Sequence, residues 1–230
     1  MSRAFDVASS TFASVLRLGA GWKTRGAARR PERLLELYEF EACPFCRRVR
    51  EALSEFDLDV KVFPCPRGGT RFRPKVIAMG GKGRFPYLVD PNTGRALYES
   101  ADIVKYLRET YDAPEARLWL GPLAIASGGM ASAARAGHGR AARPSRLPDK
   151  PLELWSYEAS PYSRLVRETL CELELPYVLH NVAKGSRGRE AFVARTGKMM
   201  VPYLADPNTG REMFESADIV RYLVQTYADT

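Results

Sequence analysis

The chain has 230 residues, 45% of them hydrophobic and 27% charged, with a formal net charge of +8. Its most apolar stretch, Leu118 to Ala126, is broken by Gly121-Pro122 and falls far short of the roughly 20 residues that span a bilayer, so a transmembrane reading is excluded. Four cysteines are too few for a disulfide framework and suit the cytoplasm or another reducing compartment.

In chain order, residues 1–33 form a basic leader with a charge balance of +5. Its Ser- and Arg-rich start has the flavour of an organelle transit peptide. Part of it recurs in mid-chain, however: ASVLRLGAG at 13–21 is echoed by ASAARAGHG at 131–139, which assigns the segment to the mature fold. A first unit is expected over 34–112. Leu35–Phe40 alternates apolar and acidic residues and predicts a strand. Cys43–Phe56 places Val49, Leu53 and Phe56 at helical spacing and predicts an amphipathic helix with an arginine-rich outer face. Val60–Phe63 predicts a second strand, and Lys75–Met79 a short helix closed by Gly80-Gly81. Pro86–Val89 and Arg95–Tyr98 are expected as strands around the turn Asp90-Pro91-Asn92-Thr93-Gly94. Ser100 is expected to cap a last helix, Ala101–Tyr111.

Residues 113–150 form a second basic segment. It reads as a solvated linker, with peripheral contact to an anionic membrane surface as the alternative and no nucleic-acid partner expected. A second unit follows over 151–230. Residues 201–227 repeat residues 85–111 with 19 of 27 positions identical, and LELWSYEASPYSRLVRETL (152–170) aligns with LELYEFEACPFCRRVREAL (35–53). The chain is an internal duplication.

The chemistry concentrates in Cys43-Pro44-Phe45-Cys46, a Cys-x-x-Cys pair at a strand-to-helix junction. There the unpaired N–H groups and the dipole of the helix favour a thiolate at Cys43, and Arg47 and Arg48 are expected to add positive charge nearby. Cys46, one turn on, is positioned to resolve a mixed disulfide. Zinc is the rival for such a pair, but His138 and His180 are the only histidines and neither lies in a ligand-like cluster. Cys65 reads as a structural thiol, with a regulatory or substrate-disulfide role as the alternative, and Cys171 as a packed one.

Cys43-Pro44-Phe45-Cys46 resembles the active loop of glutaredoxins. Phe85-Pro86 followed by Glu99-Ser100-Ala101-Asp102 resembles the glutathione site in the N-terminal domain of glutathione transferases. The likeness covers 35–111 and again 152–227, and its character is that of glutaredoxin-like transferases with a CPFC loop. It implies an α/β fold of two tandem thioredoxin-like βαβαββα units, with glutathione as co-substrate and no metal. Carried over by position, it makes Pro86 a cis-proline facing the active cysteine and Phe85 the residue whose backbone pairs with the cysteinyl part of glutathione. Glu99 then accepts the ligand's ammonium group. Ser100 holds its γ-glutamyl carboxylate at the helix N-terminus, a ready anion site.

In the second copy the loop reads Ser160-Pro161-Tyr162-Ser163, which cannot run thiol exchange, yet Val201, Pro202, Glu215 and Ser216 remain. Two readings stay open: Ser160 donates a hydrogen bond to a glutathione thiolate, or the copy only binds or supports. Transferases follow this unit with an all-helical domain, whereas here a second copy follows. The expected function is a glutathione-dependent thiol–disulfide oxidoreductase acting through Cys43 on a small-molecule or protein substrate. The alternatives are a glutathione transferase or isomerase on an apolar substrate, and a tandem glutathione-binding scaffold.

Overall fold

A computed structural model describes residues 7–11, 20–115 and 137–229. The first copy runs β1 (Leu35–Glu39), α1 (Pro44–Phe56), β2 (Val60–Pro64), α2 (Arg73–Gly80), β3 (Tyr87–Asp90), β4 (Arg95–Leu97) and α3 (Ser100–Tyr111). The second repeats it as β5 (Leu152–Ser156), α4 (Pro161–Glu172), β6 (Tyr177–Asn181), α5 (Gly188–Thr196), β7 (Tyr203–Asp206), β8 (Arg211–Phe214) and α6 (Ser216–Tyr227). Each copy is a thioredoxin-like βαβαββα unit, and the described residues contain no all-helical domain.

Within a unit the first two strands are parallel and the hairpin adds antiparallel strands, which places β1 and β5 inside their sheets. These inner strands, LELYE and LELWS, are buried at every position but the second, so their alternation of apolar and polar residues does not mark a solvent face. The hairpin turn is tied to the last helix by the repeated aspartate. Asp90 Oδ1 accepts from the Asn92 N–H at 2.8 Å, while the Tyr106 and Tyr111 hydroxyls donate to its Oδ2 at 2.7 and 2.5 Å. Asp206 repeats this with Asn208, Tyr222 and Tyr227. Much of the identity between copies therefore serves this clamp rather than a ligand.

The two sheets are one. Strand β2 pairs antiparallel with β6, Lys61 opposite Val178, giving eight strands in the order β4-β3-β1-β2-β6-β5-β7-β8. The strand edge that each unit would expose is thereby covered by its copy. One apolar core runs through the seam, with Leu35, Leu37, Val60 and Val62 joined to Leu152, Leu154, Tyr177 and Leu179.

Above the seam the arginine-rich face of α1, expected on the outside, turns inward. Arg47 and Arg50 are 4% and 1% exposed, and so are Arg164 (2%) and Arg167 (1%) of α4. Arg50 bonds Glu39 and also Glu158, at 3.0 Å to the latter, while Arg167 bonds Glu41 at 3.1 Å and Glu158 at 2.9 Å. Buried arginines persist only when paired, and here the pairs cross between units.

The connecting segments cross as well. Lys23 bridges to Lys184 of the second unit, and Ala141 bridges to Arg67 of the first. Gly21 and Gly139, which close the repeated leader motif, have φ of +78° and +71°. A Cβ on Gly21 would lie 2.9 Å from Glu158 Cβ, and one on Gly139 would lie 2.8 Å from Glu41 Cβ. Both sites demand glycine on conformation and on space. The rest of the leader repeat, at 13–19 and 131–136, lies outside the described residues.

Candidate functional site

Cys43 is the N-cap of α1, with extended backbone (φ −79°, ψ 121°), and Pro44 takes the first helical turn. The missing proline N–H costs nothing there. The Cys43 sulfur accepts from the Cys46 backbone N–H at 3.3 Å and lies 4.0 Å from the Phe85 carbonyl oxygen. Both thiols are shielded, Cys43 at 4% exposure and Cys46 at 0%. Hydrogen bonding from the Cys46 thiol, with the backbone N–H groups of Cys46 and Phe45, holds the Cys43 thiol below its ordinary pKa against the opposing effects of burial and Glu39. Burial, with Cys43 and Glu39, pushes Cys46 well up. The pair is thus divided into one thiol made more acidic and one made less so.

Arg47, expected from sequence to add positive charge there, is turned to other partners. Arg47 is engaged by Glu51 at 3.3 Å and by Glu158 at 3.7 Å. An ion-paired guanidinium has its field largely spent on its partner, so hydrogen bonds carry the shift at Cys43.

The Phe85-Pro86 and Val201-Pro202 bonds are both cis. Phe85 is held by the Arg73 guanidinium 4.7 Å from its ring centroid and by the edge of Phe40 at 6.2 Å. Beyond β4, Ser100 is the first residue of α3 rather than its cap. Glu99 takes the cap position with φ 62° and ψ 116°, and Glu215 does the same in the second unit with φ 66° and ψ 113°. A glutamate in this region is strained, and the strain occurs twice at the same place. No side-chain capping bond compensates it at either helix.

In the second unit Val201, Pro202, Glu215 and Ser216 line one cavity of about 350 Å³ together with Tyr162 and Met200. Ser216 is 2% exposed, and its Oγ makes no hydrogen bond within the described protein. A buried hydroxyl of this kind at a helix N-terminus suits an oxyanion acceptor. Ser160 is buried at 2% and turned to its own helix, accepting from the Ser163 N–H at 3.2 Å and the Ser163 hydroxyl at 2.8 Å. It is not among the residues lining the cavity.

Tyr162 and Met200 were not marked by the sequence reading. Their only signal is position, Tyr162 following the loop proline and Met200 preceding the residue before the cis-proline. Among the described residues no group of three or more His, Cys, Asp or Glu is arranged to hold a metal.

Comparison with known proteins agrees with the duplicated fold. The family described as "Glutathione S-transferase, N-terminal domain" matches residues 37–115 and again 154–230. Among curated proteins, the glutathione S-transferase-like protein tpcF of Aspergillus fumigatus is 41% identical over 71 residues, covering 31% of each chain. The glutathione S-transferase-like protein gedE of Aspergillus terreus is 35% identical, covering 32% of this chain and 38% of that one. The matches thus span about a third of the length of these relatives. A delta-class glutathione transferase of Nilaparvata lugens is similar with 27% identity and a TM-score of 0.30, covering 38% of this chain and 40% of that one. The trimeric glutathione transferase TDR1 of Leishmania is similar with 14% identity and a TM-score of 0.31, covering 86% of this chain and 68% of that one. This chain belongs to the glutathione S-transferase N-terminal-domain family and carries that thioredoxin-like unit twice.

Proposed function

We propose that the chain is a glutathione-dependent thiol–disulfide oxidoreductase in which Cys43 is the nucleophile. The observation that carries this reading is the Cys43 sulfur at the N-cap of α1, hydrogen-bonded by the Cys46 N–H and 4.0 Å from the carbonyl of the residue before the cis-proline. The Cys43 thiolate attacks the glutathionyl sulfur of a mixed disulfide. The substrate thiolate leaves and takes up a proton, and Cys43 becomes glutathionylated. A second glutathione thiolate then attacks that sulfur, releasing glutathione disulfide and restoring the Cys43 thiolate. Phe85 and Pro86 present backbone to the cysteinyl part of glutathione, while Glu99 and Ser100 receive its γ-glutamyl end. Because Cys46 is fully buried and its thiol is held up, the route through Cys43 alone dominates and the dithiol route is minor.

The same reading divides the chain into a redox-competent unit over 34–112 and a unit over 151–230 that binds glutathione without redox turnover. The buried Ser216 hydroxyl and the cavity around Val201, Pro202 and Glu215 support the second part. Ser160, which does not line that cavity, supports binding rather than thiolate activation. Purified protein is expected to reduce a small glutathione mixed disulfide, Cys43→Ser to abolish this and Cys46→Ser to retain most of it. Undiminished turnover by Cys43→Ser refutes the assignment. The competing reading, transfer of glutathione to an apolar electrophile, is supported by the transferase names of the relatives. It is decided by whether conjugation of a model electrophile survives Cys43→Ser.

A further inference from the structure

The duplication acts as an internal control on the buried charges at the seam. Positions related by 117 residues carry the same residue at Glu41 and Glu158, Arg47 and Arg164, Arg50 and Arg167, and Glu51 and Glu168. All eight are buried. The shared set is balanced, four arginines against four glutamates. One further acid stands in the same layer, Glu39 at the end of β1, 1% exposed and bonded to Arg50. Its counterpart is Ser156. Glu39 thus segregates with Cys43 and Cys46, whose counterparts are Ser160 and Ser163. It is the surplus negative charge of an otherwise neutral cluster, and it occurs only in the unit that keeps sulfur.

The placement ties this acid to the cysteines. Cys43 caps α1, and Cys46 and Arg50, four residues apart, share the buried face of that helix. Arg50, one turn beyond Cys46 on that face, bonds Glu39, and Glu39 acts electrostatically on both thiols. From other elements Glu41, Glu158 and Arg167 act on Glu39, and Glu39 acts in turn on the buried Cys65, Cys171 and Tyr177, so the second unit contributes to its surroundings.

We propose that Glu39 is a positioning residue that sets the redox balance of the Cys43–Cys46 pair by opposing negative charge on the reduced Cys43. This rests on the thiol–disulfide reading given above. In the exchange, two glutathione thiols supply two electrons and two protons to the Cys43–Cys46 disulfide and leave as glutathione disulfide. One of those protons is then lost as the Cys43 thiolate forms. The disulfide is uncharged and the thiolate is not, so a buried carboxylate beside the pair penalises only the reduced form. Glu39 therefore makes the disulfide harder to reduce. Burial raises the Glu39 pKa to about 7 against the lowering by Arg50, so the penalty strengthens as pH rises through neutrality.

The test uses the full chain with Glu39→Ser, a residue the second unit already accommodates at Ser156, and Glu39→Gln, which removes the charge and keeps the amide shape. Both are expected to make reduction by glutathione about tenfold more favourable at alkaline pH, which is ~30 mV for a two-electron couple. The gain is expected to shrink below neutrality. Both variants are also expected to lower the pH midpoint of Cys43 alkylation by iodoacetamide. In the wild type, the Glu39 carboxyl is expected to titrate higher in the reduced than in the oxidised protein, read by NMR. Unchanged potentials and midpoints in both variants overturn the inference, as does a shift in Glu39→Ser alone, which would mark a lost contact rather than a lost charge. Identical Glu39 titration in the two redox states overturns it without any variant. Undiminished turnover by Cys43→Ser would refute the thiol–disulfide reading itself, whereas failure of the pair to form a disulfide in oxidised glutathione would overturn this inference and leave the single-thiol route standing.

Discussion

At the scale of the residue, the acidity of Cys43 comes from hydrogen bonds and not from neighbouring charge. The Cys46 thiol is the largest contributor, with backbone N–H groups adding to it. Cys46→Ser keeps a donor at that point, whereas Cys46→Ala removes it. The pH midpoint of Cys43 alkylation is therefore expected to rise in Cys46→Ala, by about 1 unit, and to move little in Cys46→Ser. Equal midpoints in the two variants would reject this account. Glu99 and Glu215 offer a second test, since each holds a backbone that favours glycine. Strain of this kind costs about 1–3 kcal/mol, offset in part by the chain entropy of a glycine. Glu215→Gly is expected to raise stability by about 1 kcal/mol and to weaken glutathione binding by the second unit. Calorimetry measures both, and a loss of stability would show that the glutamate is not strained.

At the scale of the element, the two copies show which parts of the fold local pattern can disclose. The hairpin with its Asp-Pro-Asn-Thr-Gly turn, the strand beside it and the helix stripe of Ile103, Val104 and Leu107 all follow from period and turn chemistry, because those contacts are close in sequence. The residues that resemblance assigns to glutathione, Phe85, Pro86, Glu99 and Ser100, are legible as short motifs at element ends. Two features are not. The helix α3 begins at Ser100 rather than after it, because a positive φ at Glu99 reverses the chain, and no residue type announces that. The face of α1 with Arg47 and Arg50 reads as solvated, since charge at helical spacing opposite an apolar stripe normally is. Its burial depends on Glu41 and Glu158 meeting across the seam, a contact between residues more than a hundred positions apart. The difference is measurable. Arg167→Met is expected to cost about 3 kcal/mol because it removes the guanidinium that bonds both Glu41 and Glu158 and leaves Arg50 to serve the two in the interior. Breaking the exposed Arg195–Glu212 pair, with side chains 44% and 46% exposed, is expected to cost under ~1 kcal/mol. Urea midpoints of the two variants, compared at equal slope, decide between a buried network and a surface one.

At the scale of the whole molecule, one sheet, one core and one charge cluster make the units interdependent, and two glutamates of that cluster act on stability with opposite sign. Burial would raise the Glu158 pKa, but Arg167, Arg50 and their neighbours outweigh it and hold the carboxyl at about 2. Its unfolded value is about 4.3. Glu158 therefore contributes stability that is full above that value and is lost as pH falls toward 2. Glu39 is raised to about 7 by burial. The folded state binds its proton more tightly than the unfolded chain does, so its effect is a loss of stability as pH climbs from about 4.3 through 7. The comparison of wild type with Glu39→Gln reports the second effect together with its coupling to Glu158, Cys43 and Cys46. The urea midpoint of the variant, relative to wild type, is expected to improve steadily from about pH 5 to about pH 8. A constant difference across that interval would mean that Glu39 is charged throughout, held by Arg50. A difference that narrowed would mean that its charge supports the seam. Because β2 and β6 join the units into one sheet, the unfolding that reports these changes is expected to be a single calorimetric transition, with the seam melting together with both sites.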